Sequence, residues 1–434
     1  MTSLFTSPGS SLRPDPGLAH RRAQATLTVT GEDGSPLAEQ DVLVRQRDHA
    51  FGFGCIGFGL IDWINGRSRD ETGDAELARR WTALFNKATL PFYWGRFEAV
   101  RGEPKTAELR AAAQWFRDRG VGVKGHPLLW HTLTAPWLMD LGAEQIDQAL
   151  RERIRREVAE FTGVIDTWDA INEAVIMPVF TAEPNAVTTL ARQKGRVAML
   201  RLAFEEARAA NPEATLLLND FDMSTGYECL IEAALEAGVE IDRLGLQSHM
   251  HQGAWGEEKT HDVLERFSRF NIPIHFTETT ILSGAPVPEH ISDLNDWQVS
   301  AAQWPSTEEG EARQAEEIQA HYRRLFAHPA VESLTYWGLP DKDMWLNAPG
   351  GLLRRDGSPK PAYDRLHELI KGEWWTPETP LRTDEAGRVS LEGFLGGYEL
   401  EVDGAVASFE LQAPGASHLE LRLPQRSAAS TGIR

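Results

Sequence analysis

Cysteine is nearly missing from this sequence: only Cys55 and Cys229 occur in 434 residues. Two thiols cannot build a disulfide framework, neither has a partner at CxxC spacing, and the pair suits a reducing compartment. No apolar run approaches the ~18–20 residues that a membrane-spanning helix needs, so no membrane partner is expected. The opening "MTSLFTSPGSSLRPDPGLAHRRAQ" has no continuous apolar stretch of ~7–15 residues behind a basic start. The expectation is a flexible tail over 1–23 and a cytoplasmic protein. Positive charge is also short. Against 64 Asp and Glu stand 44 Lys and Arg, a formal net charge of −20 that repels phosphate backbones and argues against nucleic acid as a partner. HExxH is absent, and although "SHMH" with His126 and His131 offers imidazoles, no acidic ligand stands at metal-binding spacing, so neither metal nor cofactor is expected.

What is present is a globular composition, 41% hydrophobic and 25% charged, with fourteen tryptophans, several near the ends of strand-like runs. An indole there either packs a core or offers a flat face to a sugar-like ligand. The chain divides into three parts. Residues 24–48 read as two alternating strands around a Gly/Ser/Pro turn, and 376–424 return to short strands with glycine turns, with the last ten residues frayed. Together the two ends make a small β-sandwich-like module, read as a structural cap or oligomer contact rather than a carbohydrate-binding module, because it shows no aromatic series. The oligomeric state stays open.

Between them, residues 50–371 alternate strand-like runs at 51–59, 84–90, 121–130, 164–172, 214–219, 243–248, 272–277 and 332–338 with helical stretches such as "QIDQALRERIRREVAEFTG". Eight such strands predict an α/β protein with a (β/α)8 barrel. The open doubly wound sheet is disfavoured, because "FGFGCIGFG" lacks the order GxGxxG. In a barrel the C-terminal strand ends carry the chemistry. Here they read His126, Trp130 and His131, then Asn172 and Glu173, Asn219 and Asp220, Gln247, His249 and His251, Glu278, and Trp337 and Trp345. One polar strand end is ordinary helix capping; six on one rim make a site.

Glu173 and Glu278 each end an otherwise apolar strand, 105 residues apart, or three βα units of roughly 30–40 residues. Paired carboxylates across a barrel mouth fit glycosidic bond cleavage. One, kept protonated, donates to the leaving oxygen, while the other attacks the anomeric carbon or activates water. Asn172 is placed to bond a sugar 2-OH.

The motifs "GHPLLWHTLTAPWL", "WDAINEA", "LLLNDFD", "LGLQSHMH", "PIHFTET", "YWGLPDKDMW" and "GLLRRDGSPKPAYDRL" occur in that order over about residues 50–371. In this they resemble glycoside hydrolase family 10, the retaining β-1,4-xylanases. The resemblance implies that Glu173 is the acid/base and Glu278 the nucleophile. It also implies that His126, Trp130, Asn172, Gln247, His249, Trp337 and Trp345 line the subsite of the attacked sugar. Three departures stand out. Where the family carries Glu, Asn and Lys on strand two to hold sugars upstream of the cut, this chain has Phe92, Tyr93 and Trp94, and Trp94 is taken as a substrate-binding candidate. Thr280 replaces the acidic partner of the strand-six histidine, so His249 needs another partner. Phe221 stands where tyrosine is usual. The loop from Ile281 to Gly310, with Trp297 and Trp304, is long enough to shape the leaving-group side. The expected substrate is a short xylo-oligosaccharide or xylan fragment. The alternatives are a plant glycoside, such as a saponin or aryl glycoside, and an inactive sugar-binding protein.

Overall fold

The computed structural model describes residues 16–342 and 344–424. Two units emerge, one of Phe51–Glu373 and one formed by the chain before and after it.

Phe51–Glu373 is built on a closed barrel of eight parallel strands. They are β1 (Gly52–Ile56), β2 (Lys87–Pro91), β3 (Gly122–His126), β4 (Thr167–Asn172), β5 (Thr215–Asp220), β6 (Arg243–Met250), β7 (Ile274–Ile281) and β8 (Val331–Tyr336). β8 pairs with β1 through Ser333 opposite Gly52 and Tyr336 opposite Cys55, which closes the ring. The strands are apolar on both faces because both are buried, one in the barrel and one under helices. The helix Ala143–Phe161 shows how the cover works. Ile146, Ala149, Leu150, Ile154, Val158 and Phe161 are buried at three- and four-residue spacing, one stripe of a 3.6-residue repeat. Side-chain caps fix several starts: Asp70 accepts from the Gly73 N–H, Asn185 from Thr188 and Thr307 from Gly310.

Two irregularities of register shape the rim. Along β4 and β5, Asp169 pairs with Leu217 but Ile171 with Leu218, so Ala170 is an extra residue. Along β6 and β7, Leu246 pairs with Phe276 but Gln247 with Glu278, so Thr277 is extra. A bulge re-aims the side chains after it, and each of these lies just before one of the two carboxyl groups.

In the other unit Arg22–Thr30 lies between Arg388–Phe394, antiparallel to it, and Gly415–Arg422, parallel to it. A four-stranded sheet runs Thr379–Arg382, Asp41–Gln46, Gly396–Val402 and Ala405–Leu411. Alternate residues of both sheets, among them Leu27, Val29, Val44, Tyr398 and Leu400, form one core. Part of the stretch expected as a tail over 1–23 is structured. Residues 16–21 form a 3-10 turn and the strand starts at Arg22. Residues 1–15, and the last ten read as frayed, lie outside the described residues.

Candidate active site

Glu173 follows the last residue of β4 and has φ of 56°, a left-handed conformation that a glutamate adopts only when its surroundings hold it there. Its backbone N–H donates to the Asn219 carbonyl of β5 at 2.8 Å. One carboxyl oxygen accepts from the Trp130 indole at 2.8 Å and the other from the Gln247 amide at 3.4 Å. Strand seven was expected to end at Thr277; it runs on to Ile281, so Glu278 stands inside β7 rather than beyond it. Its Oε1 accepts from Asn219 Nδ2 at 3.0 Å, and its Oε2 lies 3.1 Å from His249 Nε2.

Asn219 joins the two. Its Nδ2 also donates to Asn172 Oδ1 at 2.8 Å, and Asn172 Oδ1 accepts from Gln247 Nε2 at 3.1 Å, so amide contacts link one carboxyl group to the other. The Thr277 hydroxyl donates to Asn219 Oδ1 at 2.5 Å, a contact made possible by the bulge that turns Thr277 and Glu278 toward the same neighbour. Gly245, opposite Asn219 on β6, has no room for a side chain: a Cβ there would lie 2.5 Å from Asn219 Oδ1 and 3.0 Å from its Cα.

The two carboxyl groups share burial but differ in charge. Burial, then the negative Glu278 and the more distant Asp220, push Glu173 up to about 8 against the opposing pull of the Trp130 bond. Burial also acts to raise Glu278. There it is outweighed by His126, by the bond and charge of His249 and by Lys124, which hold the group below the ordinary glutamate range. At neutral pH one is therefore an acid and the other a carboxylate. Such a divergence marks a pair fitted to separate tasks.

Two supports sit behind Glu278. His126 Nδ1 and Lys124 Nζ each lie 2.6 Å from Asp169 Oδ2, all three side chains being buried. Burial opposes the Asp169 charge, but Lys124 and His126 keep it ionised, so the His126 Nδ1–H is the donor and Nε2 faces Glu278 at 3.9 Å. His249 Nε2 must donate to the ionised Glu278. Its Nδ1 lies 3.0 Å from the Thr280 hydroxyl. Thr280 itself thus supplies the partner His249 was expected to need. On the other side, burial drives His131, 3.9 Å from Glu173, down to about 4, so a neutral imidazole faces the acid.

An aromatic arc closes one flank. Trp130 packs on Tyr93, Tyr93 on Phe58 and Phe58 on Trp337, with centroids 5.6, 6.0 and 5.8 Å apart. Trp337 stands over His126, and Trp345 over His249, each at 5.1 Å. Trp94 is not brought to the carboxylates. Its indole donates to Glu98 at 3.0 Å, its ring meets Trp137 edge-on and Arg153 lies over it, all in the layer outside the barrel mouth. Phe92 points into the core against Phe161 and Trp168. Of the strand-two substitutions, Tyr93 alone joins the site.

The structure therefore gathers Glu173, Glu278, His126, Trp130, Asn172, Gln247, His249, Trp337 and Trp345, and sets Trp94 apart. Sequence reasoning gave no role to Asn219, Asp169, Lys124, Tyr93 or Thr280. A signal existed for three of them, since Asn219 was one of the polar strand ends on the rim, and Lys124 and Asp169 are charges inside otherwise apolar strands. Among the described residues no group of three or more His, Cys, Asp and Glu is arranged to hold a metal ion.

The family model described as glycosyl hydrolase family 10 matches residues 83–369. An endo-1,4-beta-xylanase/feruloyl esterase of Xylanibacter ruminicola is 28% identical over 295 residues, 60% of this chain and 39% of that protein, so the chain spans well under half of that relative's length. Endo-1,4-beta-xylanase 3 of Hypocrea jecorina is 23% identical over 385 residues, 84% of this chain and 95% of the relative. In fold, xylanase 10B from Thermotoga petrophila, solved in complex with xylobiose, superposes with a TM-score of 0.61 at 20% identity, covering 75% of this chain and 95% of that one.

Proposed function

We propose, from the premise that this chain belongs to glycosyl hydrolase family 10, that it is a retaining β-glycosidase acting on β-1,4-xylosidic bonds of short xylo-oligosaccharides or xylan fragments. The observation that carries the reading is the opposed charge state of two carboxyl groups tied into one amide network, with Glu173 pushed up to about 8 and Glu278 held low. Glu278 attacks the anomeric carbon as Glu173 gives its proton to the departing glycosidic oxygen, leaving a glycosyl ester on Glu278. Glu173, now a carboxylate, takes a proton from water; that water attacks the same carbon, the ester breaks and Glu278 is free again. The Asn172 amide, with its oxygen held by Asn219 and Gln247, offers its N–H to the sugar 2-OH. The xylanase names of the relatives and the xylobiose-bound structural neighbour support the choice of sugar.

A second reading is favoured by Tyr93, Phe58 and Trp337, which present rings where polar contacts to further sugars would be needed. On it the enzyme releases a sugar or disaccharide from a plant glycoside with an apolar aglycone. An inactive sugar-binding protein would have no use for carboxyl groups so unequal.

The test is proton NMR of products from an activated aryl β-xylobioside, with Glu278→Ala and added azide. A β-anomer appearing first, a rate at least about 10⁴-fold lower in the variant, and recovery as the α-azide are expected. A first-formed α-anomer would rule out the retaining mechanism. No turnover by the wild type on the xyloside, with turnover of an aryl β-glucoside, would transfer the assignment to the second reading.

A further inference from the structure

Asp220, the last residue of β5, is fully buried, yet among the described residues no Lys, Arg or His forms an ion pair with it. A carboxylate without a cation in a protein interior is costly unless backbone donors hold it. Its donors are the backbone N–H groups of Val175, Asp222 and Phe221. Oδ2 accepts the Val175 N–H at 3.0 Å, and Oδ1 the Asp222 N–H at 3.1 Å. Val175 is two residues beyond Glu173, the residue in the left-handed conformation. The turn is held from β5 twice, at Glu173 N–H by the Asn219 carbonyl and at Val175 N–H by Asp220, and Arg196 Nε secures the Val175 carbonyl at 2.7 Å. A backbone conformation that glutamate disfavours persists only under such over-determination.

We propose that Asp220 is a positioning residue for the acid/base: by clamping the Val175 N–H it fixes the turn that aims the Glu173 carboxyl at the glycosidic oxygen. This rests on Glu173 being the acid. Three titratable groups face Asp220: Glu173 from the β4 turn, Asp222 from its own loop and Tyr227 from the helix Thr225–Glu236. Glu173 is faced in addition by Glu278 and His131. Burial, reinforced by Asp222, raises Asp220 to about 7, and in its ionised form its charge adds to the repulsion that keeps the proton on Glu173.

The experiment compares kcat/KM for two aryl β-xylobiosides, one with a 2,4-dinitrophenyl leaving group that departs without protonation and one with a phenyl group that needs it. Wild type, Asp220→Ala, Asp220→Asn and Glu173→Gln are measured. Misaiming the acid in Asp220→Ala should raise the dinitrophenyl-to-phenyl ratio about tenfold or more, a part of the roughly 10²–10⁴ that general acid catalysis supplies. A structural lesion alone would lower both rates and leave the ratio unmoved, and that outcome overturns the proposal. Asp220→Asn, nearly the same shape, carries the test if the alanine variant does not fold. It removes the repelling charge, so the alkaline limb of kcat/KM should move to lower pH, and an unmoved limb with an unmoved ratio counts against the clamp. A ratio flat in Glu173→Gln as well would bring down the acid assignment itself; flat in the Asp220 variants alone, it overturns only the role given to Asp220.

Discussion

The Glu173 side chain is the more exposed of the two, 15% against 6% for Glu278, yet it is the one pushed up, so the difference between them comes from neighbours rather than burial. Glu173 has a tryptophan, an amide and a neutral histidine about it, and another carboxylate beyond. Glu278 has two imidazoles and a buried lysine. This predicts a bell-shaped pH dependence of kcat/KM. Activity requires Glu173 protonated, so it falls as pH rises through about 8. It requires Glu278 ionised, so the acid limb lies below the ordinary glutamate range. Measuring kcat/KM on an aryl β-xylobioside from acid to alkaline pH checks both limbs. An alkaline limb at the usual carboxylate pKa would mean that Glu173 is not the group kept protonated. At this scale the sequence was informative about which carboxylates matter, because each closes an apolar run of the sequence. It was silent on their supports. Asn219 joins Glu278 through Nδ2 only because a bulge at Thr277 shifts the register, and no spacing rule in the sequence encodes that bulge.

At the scale of elements, Arg153 shows how the helix layer braces the rim. It is buried in the helix Ala143–Phe161, its guanidinium donates to the carbonyls of Phe92, Leu128 and Pro127, and it lies 4.8 Å from the Trp94 ring. Those carbonyls lie just past the ends of β2 and β3, where the barrel ladder no longer provides donors. Arg153→Ala should therefore strip three buried acceptors at once and cost about 2–4 kcal/mol in denaturant unfolding. A loss under ~0.5 kcal/mol would show that water replaces the guanidinium. The same bracing explains the one candidate that did not reach the site. Trp94 follows Tyr93 in a short helical turn, and that turn swings its indole outward to Glu98 and Trp137. Sequence placed the strand end correctly but could not tell which of three consecutive aromatics would face the barrel mouth.

For the whole molecule, two units each carry a core of their own. In the terminal unit Leu400 is wholly buried between the sheets with Leu27 and Val44. Leu400→Ala should lower the stability of that unit by about 2–5 kcal/mol. In calorimetry one transition is expected to move while the barrel's stays, and movement of both together would refute the independence of the two cores. The many exposed ion pairs, such as Arg323 with Glu373 or Arg365 with Glu368, add little by comparison.

The sequence by itself determined the barrel, the order of its strands and the two carboxylates, because these follow from local patterns: apolar runs at regular spacing, each ending in a polar group. It determined as well that both ends of the chain are β-structured. Only the tertiary structure decided that Asn219 ties acid to nucleophile, that Asp169 and Lys124 stand behind His126, that Thr280 serves His249 and that Tyr93 rather than Trp94 meets the site. Each of these depends on which residues of neighbouring strands lie level with one another. That register is fixed by barrel closure and by two bulges, a long-range packing outcome that no segment of the chain specifies alone.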